Sequence, residues 1–150
     1  KMMEIRLIAV GKLKEPYLRA AEEQLQKMVG KKVPMRIIEV PDEKTREQAS
    51  EKEMDKVKDL EGQRILKQLD PKGQIYVMDL SGKKIKTKAF QGLVKEAIVD
   101  GTSLQLVIGG SLGLSKDVLK VAKGRISFGE MTYPHQLFRI MLLEELKKCL

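Results

Sequence analysis

The segment Met3–Val10 (MEIRLIAV) alternates apolar and polar residues and then turns continuously apolar, as a strand does when its end is buried on both faces. Pro16 sits where a first helical turn tolerates it. Tyr17, Leu18, Ala21, Leu25 and Met28 follow at helical spacing up to Gly30 and predict a first helix. A short strand, Met35–Val40, is bracketed by prolines. A charge-rich stretch follows from Asp42 to Gln68, in which Val57, Leu60, Leu66 and Leu69 mark a helix with a solvated outer face. After the Asp70-Pro71-Lys72-Gly73 turn the pattern tightens: strand Gln74–Leu80, helix Thr87–Val99 with Phe90, Leu93, Val94 and Ala97 on one face, and strand Ser103–Ile108. Ser115 caps a helix that turns Val118, Leu119 and Ala122 inward. Arg125–Phe128 makes a fifth strand, and a last helix begins at Pro134 with Leu137, Ile140, Met141 and Leu146 apolar. Strands alternating with helices, several of them near-continuously apolar, predict an α/β fold with a mostly parallel sheet flanked by helices. Ligands of such sheets lie beyond the carboxyl ends of the strands, which directs attention to the loops after Leu80, Ile108 and Phe128.

Composition narrows the picture. The chain of 150 residues suits one domain, 1–150, with one apolar core, and no apolar run approaches the roughly 18–20 residues of a membrane span. The single cysteine, Cys149, cannot form an internal disulfide, and no Cys/His cluster has metal-ligand spacing. Both facts suit a reducing cytoplasm and chemistry without a metal or a membrane. Lys and Arg number 29 against 21 Asp and Glu, a net charge of +8 that is compatible with a polyanionic partner.

Two stretches can carry chemistry. Gly109-Gly110-Ser111-Leu112-Gly113 joins a buried strand to a helix. It is either a flexible turn or a loop whose amides cradle a ligand, but it matches neither the dinucleotide pattern nor a P-loop, which disfavours a nucleotide triphosphatase. The second, Phe128-Gly129-Glu130-Met131-Thr132-Tyr133-Pro134-His135, contains the only histidine. His135 either caps or packs the helix start or moves a proton, and no nucleophile with an orienting acid is recognisable around it. Arg139, four residues on and so on the same helical face, can pair with a phosphate or with an acidic neighbour.

In order and spacing, four segments of this chain resemble the ribosomal RNA large subunit methyltransferase H family: Ile8-Ala9-Val10-Gly11-Lys12-Leu13-Lys14, Met78-Asp79-Leu80-Ser81-Gly82-Lys83, Ile108–Gly113 and Met131-Thr132-Tyr133-Pro134-His135-Gln136-Leu137-Phe138-Arg139. The likeness runs from about residue 3 to about residue 145. It implies a SPOUT fold with a carboxyl-terminal trefoil knot, S-adenosylmethionine as cofactor and a homodimer. The implied reaction is methylation of N3 of a pseudouridine in large-subunit ribosomal RNA of assembled ribosomes. By the same resemblance the cofactor contacts fall on Met78, where leucine is commoner in the family, on Gly109, and on Phe128, Gly129, Glu130, Met131, Thr132 and Tyr133. His135 and Arg139 are the candidate catalytic residues.

Family members continue past the last helix into an aromatic-basic segment ending in Tyr-His, whereas this sequence reads Glu144-Glu145-Leu146-Lys147-Lys148-Cys149-Leu150. That departure makes cofactor binding the firmer expectation and catalysis the weaker one. It also keeps open a non-catalytic RNA- or ribosome-binding protein that retains the fold, with a generic nucleotide-binding α/β enzyme as a third reading. The lysines of Lys31-Lys32 and Lys83–Lys88 are candidate phosphate contacts, and solvated surface charge is the alternative for each.

Overall fold

Ile5–Val10 forms the first strand, β1, and its alternation sends Ile5, Leu7 and Ala9 to one face of a sheet and Ile8 and Val10 to the other. The computed structural model describes residues 3–78, 85–128 and 135–150. In it β1 is followed by α1 (Pro16–Gly30), β2 (Met35–Val40), α2 (Glu51–Gln68), β3 (Gln74–Met78), α3 (Thr87–Asp100), β4 (Leu104–Ile108), α4 (Lys116–Val121), β5 (Gly124–Ile126) and α5 (His135–Cys149). The strands lie in the order β2-β1-β4-β3-β5, and every described pairing is parallel. This is the expected α/β architecture. β3 and β4, interior in the order, are buried along their whole length and read as near-continuous apolar runs, interrupted by the buried Gln74 and Gln105, because helices cover both faces.

Local chemistry sets the helix ends. α2 opens with a reciprocal cap in which the Glu53 N–H donates to Ser50 Oγ at 3.1 Å and the Ser50 N–H donates to the Glu53 carboxylate at 3.4 Å. Ser115 caps α4, its Oγ accepting the Val118 N–H at 3.3 Å. Gly101 ends α3 at φ 67°, a left-handed conformation that glycine adopts without steric cost.

One core lies between the sheet and α1, α3 and α5, with Phe90, Val94, Leu142, Leu143 and Leu146 at its centre. The other lies under α2 and α4 and includes Ile65 and Val118. The buried stripes differ from expectation on three helices. On α1 Leu18, Leu25 and Val29 face inward while Tyr17 (67 % exposed) and Met28 (41 % exposed) face out. On α5 Phe138, Leu142, Leu143, Leu146 and Cys149 are buried; residues 137–143 are apolar nearly all round, so packing rather than pattern chose the stripe. On α2 the buried positions are Glu61, Gly62 and Ile65, and Leu60 is exposed. The fifth strand ends at Ile126 rather than Phe128. Its described ladder with β3 runs from Tyr76–Gly124 to Met78–Ile126, and the Phe128 ring turns into the core against Phe90 (centroids 5.5 Å apart, edge to face) and Phe138 (6.1 Å).

Candidate functional site

The carboxyl ends of β4, β3 and β5 stand side by side, since Met78 pairs with Ile108 on one flank and with Ile126 on the other. The turns after these three strands therefore leave from one edge, with Gly109 next to Ile108 and Phe128 two residues past Ile126. Beyond them, the Ile85 N–H donates to the Ser127 carbonyl at 2.8 Å, which ties the approach to α3 to the chain leaving β5. The side chains of Met78 and Phe128 point away from the edge. Met78 is buried in the core beneath α3 and α5, and the Phe128 ring packs with Phe90 and Phe138. Gly129, Glu130, Met131, Thr132 and Tyr133 lie outside the described residues, as does the side chain of His135, whose backbone opens α5.

The glycine loop closes on itself. The Gly113 N–H donates to the Gly110 carbonyl at 3.1 Å, and Gly113 takes φ 91°. The other two glycines answer to close packing within the chain. A Cβ at Gly109 would stand 2.8 Å from Leu114 Cδ2 and 3.1 Å from the Gly113 carbonyl carbon; one at Gly110 would stand 2.8 Å from Glu61 Oε1 and 3.2 Å from Val10 Cγ1.

Arg139 is only 5 % exposed. Its Nη1 donates to Glu22 Oε2 at 3.0 Å and to Glu39 Oε2 at 2.5 Å, and its Nη2 donates to the Gly11 carbonyl at 3.3 Å. Of the two partners foreseen for Arg139, the acidic neighbour is the one present, and through it α5 is pinned to α1, β2 and the turn after β1. The Lys14 N–H adds a contact to Gln136 Oε1 at 3.3 Å.

Beside this clamp opens a cleft of ≈ 530 Å³ at the ends of β1, β2 and β4. The turn Gly11–Lys14, residues Pro41–Glu43, Gly110 and Ser111 wall it, and Gln136 and Arg139 bring in the start of α5. Glu61 lies at its floor, 4 % exposed. Its Oε2 accepts the Glu43 N–H at 2.9 Å, while Oε1 has no hydrogen-bond partner among the described residues. Burial pushes the Glu61 carboxyl above the usual glutamate range, against the lowering effect of the Glu43 N–H. Sequence reasoning passed over this residue. The signal was there: Glu61 stands in phase with Val57 and Ile65, a charged residue on an apolar stripe, and Gly62 beside it lets α2 approach α4, where a Cβ would come within 2.3 Å of Ser115 Oγ. Among the described residues no group of three or more His, Cys, Asp or Glu could hold a metal ion. No described helix is long and apolar enough to cross a membrane.

Comparison with known proteins adds what geometry alone does not supply. The ribosomal RNA large subunit methyltransferase H of Clostridium botulinum (strain Langeland) is 47 % identical over 144 residues, covering 95 % of this chain and 91 % of the relative. The proteins of the same name from Clostridium beijerinckii and Clostridium kluyveri are 45 % and 46 % identical over 145 residues, covering 96 % of this chain and 91 % of each relative. A family model described as "Predicted SPOUT methyltransferase" matches residues 3–149. That match spans the parallel sheet, the glycine loop and the buried Arg139 alike, and the chain belongs to the SPOUT methyltransferase family.

Proposed function

We propose that this chain is an S-adenosylmethionine-dependent methyltransferase that modifies large-subunit ribosomal RNA at N3 of a pseudouridine, in the cytoplasm and as a homodimer with a knotted carboxyl-terminal part. The observation that carries the reading is that Met78, Ile108 and Ile126, at the carboxyl ends of three adjacent parallel strands, stand in register at one edge of the sheet. Relatives named for ribosomal RNA methylation and the net charge of +8 support an RNA substrate. Support for the knot comes from the course of α5, which follows the edge strand β5 yet packs mainly against α1. Tyr17 and Met28 lie exposed on one side of α1, a surface suited to a second copy.

The residues at the edge fit an adenosyl donor. Met78, Ile108, Gly109, Ile126 and Phe128 bring no charge, and their backbone groups are the polar atoms available to read a ring edge while apolar side chains cover its faces. Met78, Gly109 and Phe128 through Tyr133 would hold the donor, which supplies an electrophilic methyl group when bound. The chain's own work is to align the acceptor nitrogen, exclude water and receive the proton that the nitrogen loses. His135 is assigned that proton. Arg139 holds the start of the helix that carries it.

Calorimetric titration is expected to give a saturable S-adenosylmethionine site, and ribosomes supplied with labelled donor are expected to gain methyl groups. Donor binding without any transfer to ribosomes or free ribosomal RNA would favour the non-catalytic reading. His135→Ala is expected to slow single-turnover transfer and leave donor affinity intact; unchanged turnover would remove the proton-accepting role.

A further inference from the structure

The cleft at the ends of β1, β2 and β4 is not among the residues the family resemblance assigns to the donor, yet it touches their neighbours on both sides. Gly110 and Ser111 follow Gly109, and Gln136 and Arg139 belong to the helix that follows Tyr133. A methyl acceptor must lie next to the donor, and this cleft shares the glycine loop with the proposed donor site. Its volume of ≈ 530 Å³ falls within the range of small-molecule sites and is ample for one nucleotide.

Its chemistry is graded from mouth to floor. Lys12 and Lys14 are exposed at the mouth, and neither forms an ion pair among the described residues. Deeper, Glu39 is taken by Arg139, and Glu43 by Arg64. At the floor, Glu61 Oε1 is an acceptor without a donor among the described residues, lying against Gly110. The terminal torsion of glutamate is soft, so a modest turn of the carboxyl presents that oxygen to the cleft. Two cations and one exposed carboxylate, Asp42, stand outside and an unspent acceptor lies inside, which matches a nucleotide whose phosphates stay on the Lys12 and Lys14 side of the mouth and whose base brings an N–H inward. Pseudouridine carries two ring N–H groups, at N1 and N3, and uridine carries only the one at N3. The N–H that is not methylated is the one left for Glu61.

Resting on the functional reading above, we propose that this cleft seats the acceptor nucleotide, with Lys12 and Lys14 meeting its phosphates and Glu61 accepting the N1–H that distinguishes pseudouridine from uridine. The test compares single-turnover methylation of assembled ribosomes whose large-subunit RNA is identical except for pseudouridine or uridine at the target, by the full chain and by Glu61→Gln. Glutamine keeps the size of the side chain and an oxygen for the Glu43 N–H but places an amide where the acceptor was. The parent chain is expected to prefer pseudouridine, and Glu61→Gln to lose about tenfold or more of kcat/KM on pseudouridine and less on uridine, so that the preference narrows, with donor affinity unchanged. The Lys12→Gln/Lys14→Gln double variant is expected to weaken RNA binding and to reduce its salt dependence by about one unit of slope per lysine. Equal turnover of the two RNAs by the parent, an unchanged preference in Glu61→Gln, or unchanged RNA affinity in the lysine variant overturns the inference while leaving methyl transfer standing. A parent chain that binds donor and RNA but transfers nothing overturns the functional reading instead, and the inference falls with it.

Discussion

Along the carboxyl edge of the sheet, the half made by β4, β3 and β5 turns Met78 and Phe128 into the core, whereas the half made by β2 and β1 gathers charged side chains, two of them buried. On the first half Met78 and Phe128 pack inward, and at these positions the rim shows backbone groups. On the second, Arg139 joins Glu22 and Glu39, and Glu61 lies under Gly110. The contrast teaches a division of labour. A backbone rim suits a ligand recognised by shape and amide hydrogen bonds and tolerates drift in side-chain identity, while an ionic rim depends on each named residue.

The sharpest way to break the contrast is Arg139→Ala. Removing the guanidinium leaves two carboxylates facing each other without their shared cation, and a loss of about 3–5 kcal/mol is expected from urea unfolding. A loss below about 1 kcal/mol would mean that water serves the carboxylates as well, as at exposed pairs. On the other half Gly109→Ala is expected to weaken S-adenosylmethionine binding by about tenfold, ~1.4 kcal/mol, because the new Cβ meets Leu114 and the Gly113 backbone and displaces the rim. Calorimetry checks this, and an unchanged affinity would show that the loop does not touch the donor. Ser50→Ala removes the cap of the helix that carries Glu61 and should cost about 1 kcal/mol by the same unfolding assay, with donor affinity untouched.

The smallest effect is the one with pH. The folded chain holds the Glu61 proton more tightly than the unfolded chain does, since burial raises the carboxyl in the fold. Stability from this group is therefore complete below the ordinary glutamate range and falls as pH rises through the raised value. Glu61→Gln should match the parent below about pH 4 and be the more stable of the two at neutral pH, read as Tm against pH. A parent chain whose Tm difference from the variant stays constant across that range would place the carboxyl in water.

Alternation in Ile5–Val10, the cap at Ser115, and the stops at Gly30 and Gly101 are local signals, governed by neighbours a few residues away, and they made the order of elements and the parallel α/β class legible before any coordinates. The glycine loop and the helix after Tyr133 were visible as candidates for the same reason. Partners distant in sequence were not legible. Nothing within a turn of Arg139 names Glu22 and Glu39, which stand 117 and 100 positions away, and nothing near Gly110 names Glu61. Whether a glycine is there for a ligand or for a neighbouring carboxyl, and which side of an all-round apolar helix such as α5 is buried, depends on what the fold brings against it. The chain's own pattern decided where its strands and helices run; the packing of five strands against helices on two faces decided which charges meet, because burial and pairing energies act across space rather than along sequence.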